Sequence, residues 1–185
     1  MSKQKQSTGE FVTLMALLMS LVALSIDSML PALSTIAKDY NIQNSNSAQL
    51  IILVFFVGIS IGQLFFGPYS DTNGRKKAIY MGVGLYLIGC TVSLLAPTFF
   101  ILICGRFLQG IGVASCRVIS QAIIRDLYEG RSMARIMSII MTIFILVPAL
   151  APSIGQGILV LFNWHAIFIL SMVMSCICTV WLYLD

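Results

Sequence analysis

Three ionisable side chains lie inside long apolar stretches of the sequence, where a charge is costly and therefore informative. They are Asp27, Arg106 and Arg117. Inserting such a charge at the centre of a membrane helix costs about 2.5–3.5 kcal/mol, so these residues usually mark an ion or ligand pathway. A carboxylate can take up a proton or bind a cation, and an arginine can balance a negative charge. We interpret all three as candidate binding residues, with ion pairs between helices as the structural alternative.

Arg106 and Arg117 are 11 residues apart on one predicted helix. At about 100° per residue they point within roughly 20° of each other and lie about 16 Å apart along the axis. Gly110 and Gln121 follow the same stripe, and Gln109 lies on its flank. Because unpaired buried charges are costly and no row of acids matches this stripe, we expect it to face a water-filled cavity. A polar face packed on a neighbouring helix is the alternative.

The composition requires these charges to sit in membrane-spanning helices. The chain is 58% hydrophobic and 10% charged, with a mean hydropathy of +0.96, whereas soluble domains carry about 25% charge. The backbone in lipid must satisfy its own hydrogen bonds, so spans of about 20 apolar residues form helices. The sequence therefore predicts an all-α membrane bundle with six spans, at about 11–33, 48–69, 78–96, 99–124, 136–162 and 166–184.

The distribution of basic residues predicts the orientation of the bundle. With the N-terminus in the cytoplasm, only Lys38 falls on the outer side. The cytoplasmic side then carries eight basic residues: Lys3, Lys5, Arg75, Lys76, Lys77, Arg125, Arg131 and Arg135. This positive-inside bias accounts for the net charge of +4, and no basic stripe remains to indicate a nucleic-acid partner.

Metal and enzyme sites are not indicated by the sequence. His165 is the only histidine and has no ligand-like neighbours at suitable spacing. No HExxH, GxSxG or paired-acid metal motif occurs in the spans, so we expect neither a metal nor an enzyme activity. The five cysteines form no CxxC pair and are typical of small apolar packing residues: Cys90, Cys104, Cys116, Cys176 and Cys178.

The loop between the second and third spans carries the most specific motif, Gly67-Pro-Tyr-Ser-Asp71-Thr-Asn-Gly74-Arg75-Lys76-Lys77. Gly74 permits a tight turn, and Arg75 can pair with Asp126 at the foot of the fourth span. The spacing resembles the signature of the major facilitator superfamily at the same loop, with Thr72 where that family usually has a basic residue. The resemblance implies a latch that favours the outward-facing state. A charged turn that only sets topology is the alternative.

Two further segments extend the resemblance. The segment from Arg106 to Gly112 resembles the fourth-helix motif of the family, whose arginine is linked to proton coupling. The segment from Asp27 to Pro31 resembles the first-helix motif of its drug:proton antiporters. The resemblance thus implies that Asp27 and Arg106 couple proton binding to substrate binding.

The fifth span is similar to the antiporter motif of the family, in the segment Ala151-Pro152-Ser-Ile-Gly155-Gln-Gly157. It departs from the usual pattern at Ala151 and Gln156. Pro148 precedes the motif by one turn, and tolerated helix kinks are the alternative explanation for both prolines.

Together with the segment at 122–127, the motifs resemble the Bcr/CflA, or bicyclomycin-resistance, branch of bacterial multidrug exporters. The resemblance covers the whole chain but only the first six-helix half of a twelve-span member, which binds substrate between its halves. It implies efflux of drug-like molecules across the inner membrane, powered by the proton gradient without a cofactor. The implied partners are protons, lipid and either a C-terminal six-helix half or a second copy. A nutrient or metabolite carrier, and a half that transports nothing alone, are the alternatives.

Overall fold

The computed structural model describes residues 8–42 and 45–184, and within this range it contains helices and no strand. Lys3 and Lys5, which entered the orientation prediction, lie outside the described residues. The elements in chain order are α1 (Thr8–Asp27), a 3-10 turn (Leu30–Ala32), α2 (Leu33–Asp39), α3 (Ser45–Ala48), α4 (Leu50–Asn73), α5 (Arg75–Leu94), α6 (Phe99–Leu127), α7 (Gly130–Leu161) and α8 (His165–Leu184).

Six of the described helical segments are long and apolar enough to cross a membrane. This confirms the predicted all-α class with six membrane helices. The first segment runs over Gly9–Asp39, beyond the predicted end at residue 33, because the helix resumes after an interruption at residues 28–29. The second and third helices also extend into the predicted loop, and Gly74 alone separates them with φ at 93°.

The centre of the bundle is α6, which makes its most extensive contacts with α4 and α5. Glycines allow the backbones of α4 and α6 to come into direct contact. A Cβ added at Gly62 would lie 2.5 Å from the carbonyl oxygen of Ile111, and one at Gly110 would lie 3.0 Å from the nitrogen of Ile59. Helix association in lipid depends on such close packing because no hydrophobic effect drives it.

The opposite side of α6 meets α5 through a second set of small residues. A Cβ at Gly105 would lie 2.8 Å from the backbone nitrogen of Ser93, and one at Gly112 would lie 2.8 Å from the Cα of Tyr86. The approach is equally close from the other helix, since a Cβ at Gly89 would lie 2.8 Å from the Gly105 carbonyl oxygen. Glycines on both sides therefore fix the depth and rotation of α6, which carries Arg106 and Arg117.

An aromatic cluster joins the end of α2 to two connections, and we call it the Trp164 clasp. The Trp164 indole donates to the Asp39 carboxylate at 2.6 Å, and the Tyr40 hydroxyl donates to the Ala96 carbonyl at 2.8 Å. The Tyr40 ring lies 6.0 Å from the Phe99 ring and 6.1 Å from the Trp164 ring. The clasp thereby ties the first helical segment to the α5–α6 and α7–α8 connections.

Two glycines of α5 provide a matched test of the packing. Gly82→Ala would place its methyl group against Ser115 and 2.8 Å from the Gly112 carbonyl oxygen, whereas Gly84 has open space. Overpacking of this kind costs typically about 1–3 kcal/mol. We expect Gly82→Ala to lower the midpoint of detergent-induced unfolding, followed by circular dichroism. Gly84→Ala should leave it unchanged or raise it, because alanine favours helix. Equal midpoints for the two variants would contradict the packing argument.

Candidate functional site

A cavity of about 400 Å³ opens between α1, α4, α6 and α7. Asp27 contributes from the end of α1, Arg117 from α6 and Pro148 from α7. The remaining wall includes the two aromatic rings of Phe56 and Phe144. Two of the three charged residues singled out in the spans therefore share one open cavity.

The position of Asp27 follows from an interruption in the first helical segment. Pro31 has no N–H, so it cannot donate to the carbonyl of Asp27 four residues earlier. The N–H of Met29 bonds the carbonyl of Ile26 at 3.2 Å, a tighter three-residue pattern. As a result α1 ends at Asp27, and its carboxylate lies half-buried at the end of that helix, where it lines the cavity.

Arg106 supplies the hydrogen bond that this interruption removes. In a continuous helix the carbonyl of Ser25 would accept from the N–H of Met29, which instead bonds Ile26. The Nη2 of Arg106 donates to the Ser25 carbonyl at 3.0 Å, and its Nη1 donates to Gln109 Oε1 at 2.8 Å. Arg106 thus holds the helix end that carries Asp27, although it lies on a different helix.

The guanidinium of Arg106 is enclosed by protein. The residue is 2% exposed, and the guanidinium carbon lies 4.5 Å from the ring centre of Phe55 and 5.8 Å from that of Phe168. Among the residues that the structure describes, no carboxylate lies within salt-bridge distance of it. The faces of aromatic rings attract a cation and so partly compensate for the hydration that the buried guanidinium loses.

The predicted water-facing stripe on α6 is wrong for Arg106, Gln109 and Gly110. Arg106 and Gln109 are buried, and Gly110 packs against α4. Arg117 is half-buried and lines the cavity, whereas Gln121, half-buried one turn further, is not among the cavity residues. The two arginines share a direction, but α1, α4 and α8 enclose Arg106, whereas Arg117 lines the open cavity.

Further polar groups lie in the core around Arg106, and Ser25, Tyr86 and Ser93 among them were not singled out from the sequence. The hydroxyls of Ser25 and Tyr86 are 2.6 Å apart in the core. Arg106 Nε, Gln109 Nε2 and the Ser93 hydroxyl are buried without a hydrogen-bond partner in the described part of the chain. Serine and tyrosine are common in apolar spans, so no sequence signal distinguished Ser25 or Tyr86.

The structure brings the residues of the signature loop together around Arg75. Its Nε donates to Asp126 Oδ2 at 2.9 Å, and its Nη1 donates to Asp71 Oδ1 at 2.5 Å and to the Ser70 hydroxyl at 2.6 Å. Lys76 donates to the carbonyl of Leu182 at 3.3 Å. These contacts join the ends of α4, α5, α6 and α8, and we call them the Arg75 network.

Gly67, the first residue of the signature loop, is not part of the Arg75 network and does not pack closely against another helix. A Cβ added there would meet nothing within 4 Å, and its carbonyl accepts from the hydroxyl of Ser70 at 2.9 Å. Among the described residues, its one hydrogen bond with a side chain is therefore the local one to Ser70 near the end of α4.

The predicted antiporter segment divides into two environments on α7. Gly155 lies against the backbone of Ser28, so that an added Cβ would be 3.0 Å from the Ser28 Cα, whereas Gly157 has open space. Pro152 is half-buried, and Pro148 lines the cavity with Asp27. The segment therefore packs α7 onto the interruption of the first helical segment.

Comparison with known proteins gives a family match over most of the chain. The family model described as the Major Facilitator Superfamily matches residues 15–185. The uncharacterized MFS-type transporter YdgK of Bacillus subtilis is 35% identical over 174 residues, which are 91% of this chain and 43% of that protein.

Two further relatives have names that describe drug resistance. The bicyclomycin resistance protein homologue of Haemophilus influenzae is 36% identical over 89% of this chain and 41% of its own length. The multidrug resistance protein MdtL of Escherichia coli is 37% identical over 77% of this chain and 36% of its own length. The chain thus spans less than half the length of these relatives and corresponds to their N-terminal part.

A solved structure supports the fold. The D-xylose–proton symporter superposes with a TM-score of 0.75 over 94% of this chain and 46% of that chain, at 18% sequence identity. At this identity the likeness concerns the fold alone.

The contact between α7 and the interruption of the first segment can be tested with two neighbouring glycines. Gly155→Ala would place a methyl group against the Ser28 backbone, while Gly157→Ala would enter open space. To relieve this overlap, α7 must move away from Ser28, which should lower the free energy of unfolding by about 1–3 kcal/mol. We expect the apparent melting temperature in detergent to fall for Gly155→Ala and to stay unchanged for Gly157→Ala. A fall of the same size in both variants would show that α7 tolerates no alanine here for reasons unrelated to Ser28.

Proposed function

The chain belongs to the Major Facilitator Superfamily, and we propose that it forms one wall of an exporter that exchanges drug-like small molecules for protons. The observation that carries the proposal is Asp27, a carboxylate at an interrupted helix end that opens into a cavity. Ionisable residues at membrane depth mark proton relays and substrate pathways. The names of the bicyclomycin-resistance and multidrug-resistance relatives support drug-like substrates.

We propose that the cavity is completed by a second six-helix unit. The chain matches about two-fifths of the length of its relatives, and transporters of this architecture bind substrate at the interface between repeats near the bilayer midplane. The complementary wall is a C-terminal half or a second copy of this chain. The location proposed for the assembly is the bacterial inner membrane, with the N-terminus in the cytoplasm as the positive-inside bias predicts.

In the proposed mechanism Asp27 alternates between a proton and substrate. Protonation removes its negative charge, so a substrate that binds through attraction to the carboxylate is released when a proton binds. The second unit then rocks against this bundle, which exposes the cavity to the other side of the membrane. Arg106 acts as a positioning residue, because it holds the Ser25 carbonyl at the end of the helix that presents Asp27.

The proposal is tested in inverted membrane vesicles from cells that express the gene encoding this chain. Respiration acidifies the vesicle interior, and a pH-sensitive dye reports proton release when a drug-like cation such as ethidium is added. We expect the substrate to dissipate the gradient in wild-type vesicles. Asp27→Asn should abolish this response, because the amide cannot exchange a proton. A wild-type response that persists in Asp27→Asn would contradict the role of this carboxylate.

Arg106 is tested in the same assay. Arg106→Ala removes the donor to Ser25 and should reduce proton-coupled efflux at least tenfold, while Arg106→Lys should restore part of it. Arg125→Gln is the matched control, since Arg125 is exposed near the end of the same helix. Protein level and melting temperature show whether each variant folds. Unchanged efflux in Arg106→Ala would refute the positioning role.

We propose that the Arg75 network is a latch that stabilises one of the two access states. Arg75 bonds both Asp71 and Asp126, and breaking such a network allows the helix ends to separate. Arg75→Gln should lower the rate of drug efflux several-fold, whereas Lys77→Gln removes a neighbouring exposed charge and should not. An equal loss in the two variants would indicate that the loop acts only through its total charge.

A further inference from the structure

The cavity contains two charges of opposite sign that have no ionic partner among the residues that the structure describes. Asp27 and Arg117 both line it, from α1 and α6 respectively. Among the described residues, neither side chain lies within salt-bridge distance of an opposite charge. An ion pair between helices, the structural alternative for these two charges, is therefore not formed within the described part of the chain.

The rest of the wall is largely apolar and aromatic. The Arg117 guanidinium carbon lies 5.7 Å from the ring centre of Phe144, and Phe56 exposes 48% of its surface. Gln63 adds one amide, while the hydroxyl of Ser60 already donates to the Phe56 carbonyl at 2.9 Å. Such a wall suits a flat aromatic body, and its two charges are the dominant polar groups available for selecting a ligand.

The pairing of charges restricts the ligand that the cavity favours. A ligand with only a positive group satisfies Asp27 but is repelled by Arg117, and an anionic ligand has the reverse problem. An uncharged ligand displaces water from both charges without replacing the lost interactions. Specificity arises from such repulsion and desolvation as much as from attraction.

We propose that this cavity selects dipolar substrates, namely aromatic molecules that carry both an amine and an acidic group. The amine lies toward Asp27, the acidic group toward Arg117, and the ring system against Phe144. Arg117 is thus the residue that determines preference for the acidic group. The inference rests on the proposed function only in taking the cavity as the substrate site.

The test measures binding directly, by equilibrium dialysis with the purified transporter in lipid nanodiscs. Four congeners of one fused aromatic scaffold are compared: with an amine, with a carboxylate, with both and with neither. We expect wild type to bind the dipolar congener at least tenfold more tightly than the other three. Arg117→Gln should weaken that congener about tenfold and leave the amine-only congener unchanged or tighter, while Arg117→Lys retains most of the preference.

Arg125→Gln is the matched control, because it removes the same charge from an exposed position of α6. The proposal is overturned if the amine-only congener binds wild type as tightly as the dipolar one, or if no congener binds. It is also overturned if Arg117→Gln weakens all four equally, which is the result expected when Arg117 serves only packing or pairs with another unit. Binding of the dipolar congener without proton release, when this congener replaces ethidium in the vesicle assay, would instead reject the exchange mechanism and leave the selectivity intact.

Discussion

The carbonyl group of Ser25 needs a hydrogen-bond donor that its own helix does not supply. The hydrocarbon core of the bilayer offers no water to act as this donor, and an unsatisfied backbone group there costs several kcal/mol. Arg106 provides the donor from another helix, so the interruption of the first helical segment and the burial of a cation stabilise each other. The half-buried carboxylate of Asp27, two residues later, depends on this arrangement.

The same constraint explains why α6 is held so closely. A donor that must reach one particular carbonyl tolerates little axial displacement, and glycines fix α6 against both α4 and α5. The depth at which Arg106 meets Ser25 also sets the depth of Arg117, since both belong to one continuous helix. Packing between helices and the chemistry of the cavity are therefore coupled through the position of α6.

The sequence was sufficient to predict the six-helix membrane class, because apolar length alone determines it. The predicted topology also placed Arg75 and Asp126 at the same end of the bundle, where they can pair, and the structure shows this ion pair. The burial of Arg106 could not be predicted, because helical periodicity gives the direction of a side chain but not which helices cover it at each depth. Likewise, the predicted first span at 11–33 was unbroken, and nothing in the sequence shows that Arg106 bonds the carbonyl that the interruption before Pro31 frees.

The Trp164 clasp has a consequence for how deeply the bundle sits in the bilayer. The first segment has 31 residues, more than the roughly 20 that a helix needs to cross the hydrocarbon core. Its end at Asp39 therefore reaches the headgroup layer, where tryptophan and tyrosine are favoured. Tyr40 suits that layer, whereas Trp164 is only 3% exposed, so the clasp acts inside the protein and holds the end of the first segment and the α5–α6 and α7–α8 connections at one common depth.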